Sequence, residues 1–318
     1  MAATHSETQM TRTRTALTAL ACAVPLAFGL SACGDDGTSA DTAGETATAP
    51  ALSVPADTAE RVDRAVAVYT VWANGQVDRM IADTRVLTDA VRAGDLTQAQ
   101  AAYATSRQGW ERIEPIAGLV EDIDRKVDMR VEQFESVTDP EFTGWHRLEY
   151  LLFDRQTTAG AKPFADRLDA DLAGLKKQLA TIDVPAGDMA IGAAELIEEV
   201  VNGKITGEED RYSKTDLWDM KANVEGAEKI VTLLTPALTL ADPELLASIS
   251  RGFIAVDASL NELRSGDGFV PFCPENDQYP SPLCTTTTVS AEQLDRMKTQ
   301  LGALAEDLAK VPGALGIS

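Results

Sequence analysis

Beyond residue 57, apolar side chains recur at helical spacing along almost the whole chain. Val62, Val66, Tyr69, Ala73 and Val77 fall on one stripe and Leu168, Leu172, Leu175 and Leu179 on another, the three-and-four spacing that lines one face of an α-helix. Two-residue alternation, the mark of a half-buried strand, is nearly absent. The pattern predicts helices at about 57–93, 96–114, 120–136, 144–153, 163–182, 188–203, 214–238, 243–264 and 290–311. Breakers fall between them: Gly94-Asp95, Pro115, Asp139-Pro140, Pro185, Asp242-Pro243 and the stretch 265–289. The fold class is therefore all-α, an up-and-down bundle or two bundles packed together.

The N-terminal segment breaks this pattern. Arg12 and Arg14 precede an apolar run from Ala16 to Leu30 and small residues follow, which is the layout of an export signal. The run is short of the roughly 20 apolar residues that a spanning helix needs. Leu30-Ser31-Ala32-Cys33 resembles the lipobox of bacterial lipoproteins, so Cys33 is expected to carry lipid and become the new N-terminus. Gly34 to Pro55 is rich in Thr, Ala, Gly, Ser and Asp, too poor in large apolar side chains to offset chain entropy. The expected organisation is an export signal over 1–32, a lipidated cysteine and tether over 33–56, and a helical domain over 57–318. Such a protein would be exported and anchored to the outer face of the cell membrane.

Charge narrows the partners. The formal net charge is −22, and loss of residues 1–32 would make it one unit more negative. A surface of that sign repels nucleic acid phosphates and attracts cations. Of the four cysteines, Cys22 lies in the signal and Cys33 in the lipobox, leaving Cys273 and Cys284 in "FCPENDQYPSPLC". In an exported chain, two cysteines a short proline-rich loop apart are expected to form a disulfide.

Candidate chemistry concentrates where carboxylates interrupt buried helical positions. In "GWERIEPIAGLVEDIDRKVD", Glu111 and Glu114 share one helical face, and Asp122, Asp124 and Asp128 follow after a short connection. In "TGWHRLEYLLF", His146 and Glu149 stand three apart among Trp145, Leu148, Leu151 and Leu152. The chain has two histidines, and the other, His5, lies in the signal. Neighbouring helices that each present a paired ligand face are how bundles build metal sites. Asp122 and Asp124 read instead as charges favoured at a helix start. Ser213-Lys214-Thr215-Asp216 reads as a capping box, while Arg211, Tyr212 and Asp216 are placed to support ligand carboxylates. Oxygens plus one imidazole suit iron, manganese or calcium better than copper(I) or a structural zinc. One histidine cannot supply the two-histidine set of HExxH zinc peptidases, and no G-x-S-x-G elbow supports a serine hydrolase.

With these residues in view, the chain resembles the imelysin-like family, and within it the EfeO/EfeM lipoproteins of bacterial iron uptake. The likeness rests on "RQGWERIEPIAGLVEDIDRKVD", "FTGWHRLEYLLF", "KITGEEDRYSKTDLWDMKANVEGA", "DGFVPF" and "LAEDLAKVPGALGI". It implies two packed four-helix bundles and a cleft metal site around an HxxE motif, here His146 and Glu149, with Glu111, Glu114 and Asp128 as further ligands. It implies iron, Fe2+ or Fe3+, as the ion, with an EfeU-like permease and an EfeB-like haem peroxidase as partners. Binding rather than catalysis is expected; the alternatives are a metallopeptidase, from the family's protease label, and a purely structural surface lipoprotein. Two departures stand out. EfeO proteins often carry an N-terminal cupredoxin domain where only the tether stands here, and Lys214 occupies a position where relatives often have histidine.

Overall fold

The computed structural model describes residues 56–317. The expected export signal, Cys33 and all of the expected tether but Ala56 lie outside them. The first helix, α1 (Ala56–Ala93), has 38 residues, giving it a length of about 57 Å. Its stripe of Val62, Tyr69, Ala73 and Val77 is fully buried, and Gly94 with φ of +77° ends it. Asp95 caps α2 (Leu96–Ile113) by accepting from the Gln98 amide at 2.9 Å. Pro115 stops α2, and a 3-10 segment over Glu114–Val120 leads to α3 (Glu121–Val127).

Helix α3 is much shorter than the helix expected over 120–136, which is corrected here. It ends at Val127 with Asp128 as its cap, and only a single 3-10 turn follows at Val131–Gln133. Two contacts account for the break. Gly144, with φ of +76°, sits so tightly on the Val127 carbonyl that a Cβ there would come within 2.2 Å of its oxygen. The Asp128 carboxylate, meanwhile, is held by Arg107 and by the Trp110 indole N–H. Then come α4 (Gly144–Glu149), which runs on as one π-helical turn over Tyr150–Asp154, and α5 (Lys162–Leu179), whose four leucines are buried.

The second half holds α6 (Ala186–Asn202), α7 (Asp216–Ala241) and α8 (Pro243–Asn261). A two-stranded hairpin follows, β1 (Arg264–Ser265) paired antiparallel with β2 (Gly268–Phe269). The chain closes with α9 (Ala291–Leu308), started by a Ser290/Gln293 capping box, and α10 (Val311–Leu315). The molecule is all-α as expected. Helices α1 and α2 pack on one side of α7, with α5 against α1, and α6 and α8 pack on its other side, with α9 against both. The two bundles thus share α7, and their buried side chains merge into one continuous core. Among the described residues, no helix is long and apolar enough to cross a membrane.

The loop from Phe269 to Val289 is closed by a Cys273–Cys284 disulfide, the pairing expected from sequence. It grips the segment that leads into α7. The Phe272 amide donates to the Lys214 carbonyl at 2.8 Å, and the buried Lys214 ammonium donates to Asp277 at 2.9 Å.

Candidate metal centre

Two close approaches and one connection bring the polar residues together. On α2, Arg107, Glu111 and the following Glu114 lie on one face by their four-and-three spacing. Helix α7 can rest on the end of α2 because Gly226 has no side chain; a Cβ there would lie 2.4 Å from the Arg112 carbonyl oxygen. That contact turns Asp219 and Asn223 towards Glu111, whose side-chain Oε2 accepts from the Asn223 amide at 2.9 Å. Gly144 does the same for α4, setting His146 beside Asp128. The connection before α7 supplies Lys204, Glu209 and Asp210, all buried.

His146 is aimed from behind. Its Nδ1 lies 3.1 Å from Glu149 Oε2, while Glu149 Oε1 accepts from the Tyr212 and Ser213 amides, each at 2.8 Å. Glu149 therefore spends both oxygens on orienting the ring, the arrangement in which a carboxylate fixes the tautomer of a ligating imidazole. The other nitrogen, Nε2, points at Asp128 Oδ1 (3.7 Å) and Glu209 Oε1 (3.6 Å). Burial and the nearby Arg107 charge oppose a proton on this ring, but hydrogen bonds to Glu149 and Glu209 outweigh them and raise His146 to about 9.

The centre already contains buried cations. Arg107 donates to Glu111 (2.6 Å), Asp128 (2.6 Å), Glu209 (3.0 Å) and Asp219 (3.0 Å), with one nitrogen 3.1 Å from His146 Nε2. Lys204 donates to Glu111 at 2.7 Å and Glu114 at 2.8 Å, and Arg130 pairs with Glu209. These do not balance the acids. Glu111, Glu149, Glu209, Asp210, Asp216 and Asp219 are all buried, and Glu114 and Asp128 nearly so. Burial, reinforced by Asp210, pushes the Asp219 and Asp216 carboxyls well above the usual carboxylate range. Burial also raises Glu114 despite Lys204. Glu209 goes the other way: burial is overcome by Lys204, His146 and Arg130, so it stays ionised. Asp219 Oδ1, Asp216 Oδ2 and Asn223 Oδ1 are buried without a hydrogen-bond partner. An excess of buried carboxylate oxygen over cation is what a metal ion relieves.

Three overlapping ligand groups fit one ion each: Asp128, His146 and Glu209; His146, Glu149 and Asp210; and Glu111, Glu209 and Asp219. A cleft of about 550 Å³, lined by Glu114, Asp124, Asp128, Glu199, Glu209 and Arg130 among others, meets the first and third of these groups at Asp128 and Glu209. Asp124, read from sequence as a helix-start charge, lines this cleft, and burial with the neighbouring Asp128 raises it to about 7.

Of the residues expected from sequence, His146, Glu111 and Asp128 meet around Arg107, Glu114 stands at the cleft and Glu149 stands behind His146. Tyr212 reaches Glu149 through its backbone amide, not its hydroxyl. Arg211 pairs with Glu132 and stacks on Tyr279 (4.4 Å), away from the cluster. The capping box at Ser213 and Asp216 is not formed. Helix α7 begins at Asp216 after Thr215, and the Asp216 carboxylate instead accepts from the Asp210 amide at 3.2 Å. The sequence reading missed Arg107, Lys204, Glu209, Asp210, Asp219 and Asn223. A signal existed for two of them: Asp219 and Asn223 are four apart on an otherwise buried face of α7.

Comparison with known proteins places this all-α fold in a family. The Imelysin family model (peptidase M75) matches residues 65–311. The iron uptake system component EfeO of Escherichia coli O157:H7 is 44% identical over 254 residues, covering 80% of this chain and 64% of the relative. Its counterparts in Escherichia coli K12 and Shigella flexneri are 43% identical over the same span. The chain thus spans 64% of the length of these relatives.

Proposed function

We propose, from the premise that this chain belongs to the imelysin family, that it is the iron-binding component of a bacterial uptake system. Its relatives are named for iron uptake. Iron is cargo here: the ion enters the acidic cleft and is held by His146 Nε2 with oxygens of Asp128 and Glu209, while Glu111 and Glu114 complete or guide its approach. Glu149 aims the imidazole from behind. One borderline nitrogen among hard oxygens suits iron. In this reading Cys33 anchors the protein outside the cell membrane, and the ion passes to an EfeU-like permease served by an EfeB-like haem peroxidase.

The observation that carries the reading is the pairing of an aimed, buried imidazole with more buried carboxylates than the resident cations neutralise. Titration with Fe(II), Fe(III), Mn(II) and Zn(II) tests it. His146→Ala and Glu149→Gln are each expected to weaken iron binding roughly tenfold or more, the scale of losing a ligand or its orienting partner. Both should keep the helical signal. Glu121→Ala, on an exposed pair with Arg125, should change nothing. Parental affinity in the His146→Ala protein would end the proposal. The anchor has its own test: Cys33→Ala should release the protein from membranes, since stable anchoring needs covalent lipid. Retention after a high-salt wash would refute it.

The peptidase label has no separate structural support. Glu149, the carboxylate nearest His146, has both oxygens engaged by the ring and two amides. Casein incubated with the metal-loaded protein is expected to remain intact.

A further inference from the structure

Arg107 is an unusual occupant for a metal-binding cluster. It is fully buried, and its guanidinium lies among the groups proposed to hold iron. One terminal nitrogen is 2.6 Å from Asp128 Oδ1 and 3.1 Å from His146 Nε2; the other is 2.6 Å from Glu111 and 3.0 Å from Glu209. An ion bound by His146, Asp128 and Glu209 needs the carboxylate oxygens that Arg107 engages and the edge of the imidazole that its charge now faces. Ion and guanidinium cannot both have them.

The same surroundings offer Arg107 somewhere else to go. Its Nε donates to Asp219 Oδ2 at 3.0 Å and lies 3.7 Å from Asp210 Oδ1. The second oxygen, Asp219 Oδ1, is buried with no partner at all. An unpaired buried carboxylate oxygen is costly, and here it stands beside a forked donor able to take both oxygens at once. The Trp145 ring, 5.8 Å from the guanidinium carbon, gives the cation an aromatic face. Turning the outer torsions of Arg107 would exchange Asp128, His146 and Glu209 for the second Asp219 oxygen, so the charge stays paired and stays inside.

We propose that Arg107 is a displaceable resident cation, which holds the ligand positions of the empty centre and moves onto Asp219 when a metal ion binds. The proposal rests on the reading of the His146 centre given above. Arg107 keeps the carboxylates from repelling one another or trapping any abundant cation. It also weakens apparent affinity by the fraction of molecules in which it is displaced, which favours release of the cargo. Asp219 acts through Arg107 and is not itself a ligand.

Calorimetric titration with Mn(II), and its release to a chelator in stopped flow, test this on the parent, Arg107→Met, Asp219→Asn and the double variant. Arg107→Met is expected to bind Mn(II) about tenfold or more tightly and to release it correspondingly slowly. Asp219→Asn is expected to weaken binding severalfold in the parent and to have no effect when Arg107 is already Met. Binding by Arg107→Met that equals or falls below the parent's overturns the proposal. So does an Asp219→Asn loss that is equal in both backgrounds, because Asp219 would then act directly. Should Arg107→Met lack the helical signal, Arg107→Lys keeps the charge without the fork, and the Asp219→Asn effect should vanish in that background as well. His146→Ala in the same series separates the two ideas. Undiminished binding there sinks the metal centre, whereas His146-dependent binding that ignores Arg107 sinks only the resident cation.

Discussion

At the scale of single residues, the cluster sets one proton against one metal ion at His146 Nε2. The ring's pKa, raised from 6.5 to about 9, means that the metal-free protein carries this proton at neutral pH. The sign of the consequences follows. The charged ring stabilises the metal-free fold; that contribution is fully present below the unfolded value of 6.5 and is lost as pH rises through about 9. Metal affinity runs the other way, because the ion must expel the proton. Between roughly pH 6 and pH 8, affinity is expected to rise about tenfold per unit for this one proton. Titrations across that range check it, and a slope in His146→Ala equal to the parent's would place the proton elsewhere. The legible residues were those in which chemistry and helical spacing coincide: His146 with Glu149, and Glu111 with Glu114. Arg107 was hidden because an arginine four residues from a glutamate on an acidic helix normally reads as a solvated pair. Glu209 and Asp210 were hidden because they sit in a connection without periodicity, and nothing local distinguishes a buried loop carboxylate from an exposed one.

At the scale of elements, the apolar stripes were enough to find the long helices, since α1, α2 and α5 to α9 each bury a face whose period can be counted. The errors fall where tertiary contacts override local preference. Residues 128–136 leave the helix because Gly144 sits on the Val127 carbonyl and Asp128 is drawn to Arg107 and Trp110. Asp216 gives up its expected cap to support Asp210. The disulfide was expected, but not the loop's hold on the centre through Lys214 and Asp277, which joins residues far apart in sequence. Glycines at crossings decide how closely elements meet. Gly226→Ala would put a Cβ 2.4 Å from the backbone oxygen of Arg112, so α2 and α7 must part. The expected cost is about 1–3 kcal/mol of stability, with weaker metal binding as Asp219 and Asn223 withdraw from Glu111. Gly302→Ala meets nothing within 4 Å on α9, and should be neutral or stabilising by about 0.5–1 kcal/mol. Thermal melts of the two variants, alongside a Mn(II) titration, check both. A Gly226→Ala protein that melts with the parent would show that the crossing is looser than its geometry implies.

At the scale of the molecule, α7 belongs to both bundles, and one core runs through all of them. Neither half can lose α7 and stay packed, so residues 56–317 are expected to unfold in one cooperative transition. The metal cluster lies at this junction. Its ligands come from α2, from the residue capping α3, from α4 and from the connection into α7, and unfolding scatters them all. An ion that binds only the folded arrangement stabilises it by mass action, about 2.7 kcal/mol when free metal is a hundred times its dissociation constant. For a domain of this size each kcal/mol raises the melting temperature by about 2–4 °C. Saturating iron or Mn(II) is therefore expected to move the whole transition up by about 5–10 °C, as a single step that grows with the logarithm of metal concentration. The surface carries a large negative charge as well, and any divalent cation will screen it. Mg(II) at equal concentration and constant ionic strength therefore serves as the control, and His146→Ala should retain the Mg(II) effect while losing the iron effect. Equal shifts for iron and Mg(II), or a transition that splits so that only one bundle gains stability, would mean that the ion screens a surface or serves one half alone, instead of fastening the junction that the two bundles share.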